Sequence, residues 1–455
     1  MRELLLINPV GRRSGYLISN FSTFSPLGLA YVAAVTPPDW NVRILDENFD
    51  VFKFQEADLV GITAFTSTIN RAYELSREYR KRNIKVIIGG IHASMSPDES
   101  LQFSDSVVIG EAEAVWPEVI KDFENNRLKR KYIAPRLDLS RFAVKPRRDL
   151  LNSNYLWNSV QTSRGCPFDC HFCTVSKYLG RKYRQREAEH VIDELEEIED
   201  EYIAFVDDNL IGYSDSSKNR SKKIFEGMIQ RKLKKKWWMQ ASVNSADDER
   251  IVELAAQSGC IFVFIGFETI DKTALRGFQK GINLKIGIDN YRRVVDTFHK
   301  YGIGVMGAFI IGNDHESFGY YQKLADFLVD SGIDIVQISI LTPLPGTQLM
   351  DQLKSQNRLN FTDFPKDWNK YRFSYMVHEP VGITEPEIYA GDNYVKNRLY
   401  SFPAYQLRLI KSMLRLKNRK NTYAIFKLNQ ALKRSWKNSH YYRRPSNHPE
   451  DSFDS

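Results

Sequence analysis

Apolar runs and amphipathic stretches alternate along roughly the first 120 positions of the chain. "LLLINPV" predicts a buried strand, and "SPLGLAYVAAVT" predicts a helix with Ser25 as its N-cap and Pro26 at its first helical position. "NVRILD", "ADLVGITA", "KVIIGG" and "SVVIG" predict further strands, separated by the polar-faced helix "INRAYELSREYRKR" and followed by the helix "AVWPEVIKDF". Strands alternating with helices imply a parallel sheet covered on both faces, a doubly wound, Rossmann-like domain. In such sheets ligands bind beyond the carboxyl ends of the strands, which puts "VGITAFTS" and "IIGGIHAS" at a pocket rim.

"NNRLKRKYIAPRLDLSRFAVKPRRDL" carries charge and proline without periodicity and reads as a connector. A second strand–helix series follows: "SVQTSRG", "YIAFVDD", "WWMQASV", "IFVFIGFET", "GVMGAFIIG" and "IVQISILT". Six such units are too few for a closed eight-stranded barrel and suit an open, partial one. Past about residue 367 the pattern turns aromatic and basic. "YQLRLIKSMLRLK" puts Leu407, Ile410 and Leu414 on one helical face and cations on the other. The expected architecture is α/β: a doubly wound domain over 1–125, a connector over 126–152, a partial (β/α)6 TIM-type barrel over 153–366, and a helical, basic region over 367–455 with a disordered end.

Composition refines this picture. At 455 residues the chain exceeds what one core serves, and 42% hydrophobic with 26% charged residues is an ordinary globular balance. The N-terminus lacks a cleavage-site pattern, and no run approaches the roughly 20 apolar residues of a spanning helix. Four cysteines, three of them crowded together, argue against a disulfide framework and for a reducing compartment. The cytoplasm is the expected location, with a peripheral place at the inner membrane face as an extension of it. The +8 formal charge is uneven: between Asn393 and Pro449 there are 14 Lys and Arg and no acid, among them Lys417, Arg419, Lys420, Lys437, Arg443 and Arg444, so the rest of the chain is net negative. That tail suits a solvated cationic face or an anionic membrane surface. Although Tyr405, Tyr423, Phe426, Trp436, Tyr441 and Tyr442 interleave with the cations, no nucleic-acid-binding module is recognisable, and no specific nucleic acid is expected.

The chemistry concentrates in "TSRGCPFDCHFCTV", where Cys166, Cys170 and Cys173 stand four and three residues apart. Three thiols so close on a loop after a strand are poor candidates for core packing. Zinc could take His171 as a fourth ligand, but a zinc knuckle would need a second ligand pair elsewhere. A dithiol of Cys170 and Cys173 leaves Cys166 unexplained. A [4Fe–4S] cluster held by three thiolates, with one iron free to chelate a small molecule, uses all three. Cys260 is left over; it precedes an apolar strand, and its expected job is packing.

This Cys-x3-Cys-x2-Cys loop, with Ser-Arg-Gly before it and Phe172 before its last cysteine, resembles the signature of the radical S-adenosylmethionine (SAM) superfamily. The resemblance implies that Phe172 packs near the adenine. It also implies that the open iron binds the amino and carboxylate groups of SAM, and that reductive cleavage yields a 5′-deoxyadenosyl radical. Beyond the loop, "FVDDNLIG" resembles the stretch that contacts the methionine amino group, through Asp207, Asp208 and Asn209, although adjacent acids there could equally cap a helix. Ser242 and Asn244 of "SVNSADD" fall where the ribose or carboxylate is met. Glu268 resembles the acid of the family's Gly-Phe-Glu-Thr stretch, with Arg276 and Lys280 beyond it as carboxylate partners. "AFIIGNDHES" and "TPLPGTQL" resemble the fifth and sixth strand ends of the same family.

A doubly wound domain ahead of such a loop resembles the cobalamin (B12)-binding subclass, whose members include hopanoid C-2 methylases and other lipid- and tetrapyrrole-modifying enzymes. The matching phrases are "SPLGLAYVAA", "VRILDEN", "VGITAFTST", "VIIGGIHAS" and "VVIGEAEAVWPEVI". "DENFDV" has no histidine to serve as lower cobalt ligand, a lack that some members share, and His92 reads as a turn residue. Gly61, Thr63, Ser67, Gly89, Gly90 and Glu111 are the candidate cobalamin contacts; their small and hydroxylic neighbourhood admits a flat macrocycle, though strand ends need turns in any case. The resemblance implies C-methylation of an unactivated carbon, with one SAM methylating cobalamin and another supplying the radical, on a hydrophobic, lipid- or isoprenoid-like small molecule. It implies as well a one-electron donor such as flavodoxin or ferredoxin. Two other classes stay open: a cobalamin-independent radical enzyme that cyclises, rearranges or couples carbons and binds substrate with its N-terminal domain, and a non-catalytic metal-binding protein.

Overall fold

The run after Met1 forms strand β1 (Arg2–Asn8), whose Leu4 and Leu6 turn to one face and Leu5 and Ile7 to the other. Burial on both faces is why the run is unbroken and not alternating. Around it lie β2 (Trp40–Asp46), β3 (Leu59–Thr63), β4 (Lys85–Gly89), β5 (Ser106–Ile109) and β6 (Lys131–Ile133), all parallel, in the order β2-β1-β3-β4-β5-β6. Helices Leu27–Ala34 and Trp116–Glu124 cover one face through Leu29, Val32, Val119 and Ile120, while Ile69–Arg80 covers the other through Ala72 and Tyr73. This computed structural model describes residues 1–10, 24–416 and 418–438, without the side chains of residues 419, 420, 435, 437 and 438. The expected cations Lys417, Arg419, Lys420, Lys437, Arg443 and Arg444, the aromatics Tyr441 and Tyr442, and the expected disordered end therefore fall outside the described residues or side chains.

The doubly wound reading holds, with three departures. Ser25 does not cap its helix; the N-cap position falls on Pro26 and the Ser25 hydroxyl reaches Ser159 Oγ at 3.2 Å instead. The expected connector is not all irregular, since its residues Lys131–Ile133 add β6 at the sheet edge. A charged three-residue edge strand has no period to read. Finally, residues from Phe361 to Val377, at the junction expected between barrel and tail, fold back onto the N-terminal sheet, adding Trp368, Tyr371 and Tyr375 to the core beside Tyr73.

The second sheet begins with β7 (Asn158–Val160). A short antiparallel ribbon of β8 (Ser163–Arg164) and β9 (Arg184–Gln185) brackets the cysteine loop. Then come β10 (Tyr202–Phe205), β11 (Lys236–Ala241), β12 (Cys260–Glu268), β13 (Gly304–Ile311) and β14 (Ile335–Ile340), parallel and in the sequential order β14-β13-β12-β11-β10-β7. Sequential order without closure is a singly wound, partial barrel. Helices pack its outer face, while Trp157, Trp238 and Phe262 fill its inner side, the last two stacked at 5.3 Å. Cys260 is buried at the start of β12, in keeping with a packing role. The C-terminal region is helical: Glu385–Tyr400, Ala404–Leu416 and Arg419–Asn438, the last of which plugs the barrel with Ala424 and Leu428. Among the described residues no helix is long and apolar enough to cross a membrane.

Candidate cofactor cleft

The carboxyl ends of the two sheets face one another across a cavity of about 320 Å³. From the N-terminal sheet come Gly61, Thr63, Gly89 and Gly90, with Gly28, Tyr31 and Trp116 from its helices; from the barrel half come Gln161, Arg164, Tyr178 and Val206. Gly90 has φ +92°, and a Cβ there would come within 2.9 Å of the Ala64 backbone, so no side chain fits. Gly28 differs in kind: a Cβ there would meet nothing within 4 Å, because it opens on the cavity. Of the expected contacts, Ser67 does not line this cavity; it sits on the short turn Thr66–Thr68 behind it. His92 is buried and turned away, with Nδ1 3.2 Å from Thr66 Oγ1 and Nε2 3.3 Å from Glu99 Oε1. Glu99 also accepts from Tyr73 and Trp368, so the imidazole belongs to a satisfied core network.

Glu111 lines the cavity, but its carboxylate is spent on the protein. Arg164 Nη1 and Arg184 Nη1 donate to Oε2 at 3.0 Å each, Arg184 Nη2 donates to Oε1, and Arg164 Nη2 reaches Glu113 Oε1 at 2.7 Å. Burial opposes ionisation, yet the guanidiniums of Arg184 and Arg164 prevail and hold the Glu111 carboxyl below the usual range. The expected direct cofactor contact is therefore corrected to a clamp. Arg164 stands two residues before Cys166, so the clamp ties the cysteine loop to the end of β5.

The loop is held from three further sides. Gly165 has φ +94°, and a Cβ there would meet the Lys182 carbonyl oxygen at 2.3 Å; Cys166 N donates to Gly180 O at 3.1 Å. Asp207, fully buried after β10, accepts from Thr162 N at 3.0 Å, from Thr162 Oγ1 at 2.8 Å and from Ser163 Oγ. Burial raises its carboxyl against the pull of Ser163, Arg220 and Thr162. Asp207 thus anchors the loop and has no surface for a ligand, another correction. Asp208 keeps an exposed face at the end of β10 near Cys173; desolvation by its surroundings, then the Asp207 charge, push its carboxyl up to about 7.

Cys170 has both Cys166 and Cys173 as electrostatic neighbours, and Cys166 Sγ lies 3.4 Å from Tyr213 OH. Burial pushes the Cys173 thiol up to about 12 and raises Cys170, against Lys280, whose ammonium acts on both. In the chain alone no three His, Cys, Asp or Glu side chains among the described residues form a closed metal-ligand set. Burial lowers the His171 imidazole, whose side-chain hydrogen bond goes to Gln352 and not toward the thiols, so the zinc reading lacks its fourth donor. Three soft thiols beside one cation and without an imidazole suit an iron–sulfur cluster better than zinc.

Around the thiols the barrel ends supply polar groups. Asn209 Nδ2 donates to Ser242 Oγ at 3.0 Å, and Asn244 Oδ1 is buried without a partner, an acceptor left for a ligand donor such as a ribose hydroxyl. Glu268 ends β12 with φ +67° and takes a 2.6 Å hydrogen bond from Lys280 Nζ. A Cβ at Gly266 would fall 2.3 Å from Glu268 Oε1, so the glycine leaves the pair its room. Despite burial, Glu268 and Cys170 keep Lys280 protonated. Arg276 is exposed on the helix Lys272–Gly277, so of the two expected cations it is Lys280 that reaches the thiols. Phe172 packs edge-on against Phe278 at 5.1 Å with the Lys280 ammonium 6.0 Å from its ring centre. The clamp arginine Arg184 and the wall residues Gly28 and Tyr178 were not foreseen; only the paired acids of "GEAEA" at a strand end hinted at the clamp.

Comparison with known proteins agrees with this arrangement. The Radical SAM superfamily model matches residues 160–328 and the B12 binding domain model residues 14–120. The chain is 30% identical over 410 residues to the bacteriochlorophyllide d C-12(1)-methyltransferase of Chlorobaculum tepidum, across 87% of this chain and 86% of the relative. It is 30% identical over 351 residues to the hopanoid C-2 methylase of Rhodopseudomonas palustris, across 74% and 66%. The fold resembles that of the radical S-adenosylmethionine methyltransferase TsrM from Kitasatospora setae, solved with cobalamin and a [4Fe–4S] cluster bound, at TM-score 0.69 and 17% identity over 96% of this chain and 99% of that one.

Proposed function

The chain belongs to the radical SAM superfamily, in the subclass that carries a B12 binding domain, and from that membership we propose that it methylates an unactivated carbon of a hydrophobic, lipid- or isoprenoid-like small molecule. One observation carries the reading. A single cavity is walled on one side by the glycine turns of the N-terminal sheet and on the other by residues flanking the cysteine loop, so a methyl donor in the first half lies beside a radical generator in the second. Relatives named as a bacteriochlorophyllide d methyltransferase and a hopanoid methylase support the substrate class.

In this reading Cys166, Cys170 and Cys173 hold the cluster, and the glycine turns with Thr63 receive the corrin. When bound, these groups and SAM supply one-electron cleavage of the sulfonium and a transferable methyl group. The chain's own residues bind and orient. Asp208 offers a carboxylate to the methionine ammonium, Asn244 and the Asn209–Ser242 pair meet the ribose, and Lys280 offers charge to the methionine carboxylate while Glu268 positions it. Phe172 and Phe278 exclude water at the adenine. The electron comes from a flavodoxin or ferredoxin.

The test is protein made anaerobically with cobalamin supplied. It should carry about four irons and one corrin per chain and move label from methyl-labelled SAM into product, with 5′-deoxyadenosine released. Equal turnover without cobalamin would defeat the methylation reading and favour radical cyclisation or coupling.

A further inference from the structure

Helix Ala404–Leu416 packs the wrong way round for a surface helix. Such helices bury their apolar stripe and show charge to water. Here the buried positions are Ala404, Tyr405, Arg408, Ser412 and Leu416, whereas Phe402 just before the helix and Leu407, Ile410, Met413 and Leu414 within it are between 47% and 80% exposed. The cause is at the foot of the barrel. Carbonyls of Ile333 and Asp334, just before β14, and that of Leu399 need donors, and the buried Arg408 guanidinium supplies them at 3.4, 3.2 and 3.4 Å. Turning Arg408 inward turns Leu407, Ile410 and Leu414 outward.

We infer that this face docks the protein on an anionic lipid surface. The helix lies flat on the body with its apolar stripe outward. At its margin stand Lys411, in an exposed pair with Asp330 at 3.6 Å, and Arg415, whose Nη1 is buried 3.7 Å from Asp296. An exposed pair such as that of Lys411 contributes little and exchanges readily for a lipid phosphate. The next helix exposes Tyr423 with Lys427 Nζ 5.3 Å over its ring, a combination suited to headgroup depth. Charge selects the lipid: the chain from Asn393 to Pro449 holds no acid, and of its described cations Arg398, Lys427 and Arg434 are exposed, while Lys396 and Arg408 are buried. A second copy is the poorer occupant, because a stable dimer takes roughly 800 Å² and 20–30 residues from each partner, and a stripe on one 13-residue helix falls well short. The face lies at the amino ends of β13 and β14 and the cysteine loop at the carboxyl end of the sheet, so docking leaves the cofactor cleft open to solution.

The experiment is co-sedimentation of the full-length holoenzyme with vesicles of phosphatidylcholine alone or mixed with phosphatidylglycerol. The wild type should pellet with the mixed vesicles, less so at high salt. A Leu407→Ser, Ile410→Ser, Leu414→Ser triple variant should lose partitioning by on the order of 100-fold, with its circular dichroism and iron–sulfur absorbance unchanged. Three results would overturn the proposal: a wild type indifferent to phosphatidylglycerol, a triple variant that binds as well as wild type, or a wild-type dimer that the variant converts to monomer, which would give the face to a second copy.

Discussion

The two sheets end alike and offer opposite things. Both present the carboxyl ends of six parallel strands to one cleft. The N-terminal sheet offers glycine turns, a threonine and cavity space, with the two acids in the wall of that end neutralised, Glu111 by Arg164 and Arg184 and Glu113 by Arg164. The barrel offers thiols, the acids Asp208 and Glu268, and Lys280. A broad uncharged ligand needs close approach to backbone; a small zwitterion needs fixed charges. The same topological position has thus been fitted for two ligand chemistries, and the Glu111 clamp keeps the two in register.

The comparison can be broken most severely on the barrel side. Replacing Cys166, Cys170 or Cys173 singly with Ala should abolish both turnover and the iron–sulfur absorption, while corrin content, governed by the other sheet, stays near wild type; iron and corrin assays on the same sample read both. Next comes the clamp. Glu111→Ala removes the shared carboxylate of two buried guanidiniums, leaving Arg164 with Glu113 and Arg184 with the Leu137 and Leu179 carbonyls, and should cost about 3 kcal/mol of stability in urea denaturation. A smaller, one-sided effect is expected of Gly28→Leu, whose Cβ would meet nothing within 4 Å and whose side chain would take up cavity space: corrin per chain should fall about tenfold at unchanged iron, a loss on the order of 1.4 kcal/mol of binding. The mildest break is electrostatic. Since the Asp208 carboxyl titrates near 7, it becomes the anion an ammonium needs only as pH rises through that value. SAM affinity measured by calorimetry should therefore rise with pH from about 6 to 8, and Asp208→Asn should remove that rise with at most a tenfold loss at pH 8.

Much of this was legible in the residues. The unbroken "LLLI" of β1 required burial on both faces, and the sequential strands after Val160 announced an open barrel. The cysteine spacing marked the reactive loop because thiols at four and three residues have few other uses. Edges and reversals were not legible. The three-residue β6 carries no period, and the return of Trp368 to the N-terminal sheet joins residues separated by more than 260 positions, as its bond to Glu99 shows.

Within the site the same division holds. Local spacing by itself determined which loop carries the thiols and which strand ends carry small residues, while the family resemblance implied that "FVDDN" and "GFET" serve the site. Only the tertiary structure decided that Asp207 serves the loop while Asp208 stays exposed, that Lys280 and not Arg276 meets the thiols, that Glu111 binds arginines, and that the helix Ala404–Leu416 shows its apolar side to solvent. Each of those outcomes turns on which buried donor or acceptor must be satisfied by a residue distant in sequence, and a requirement of that kind exists only once the chain has folded around it.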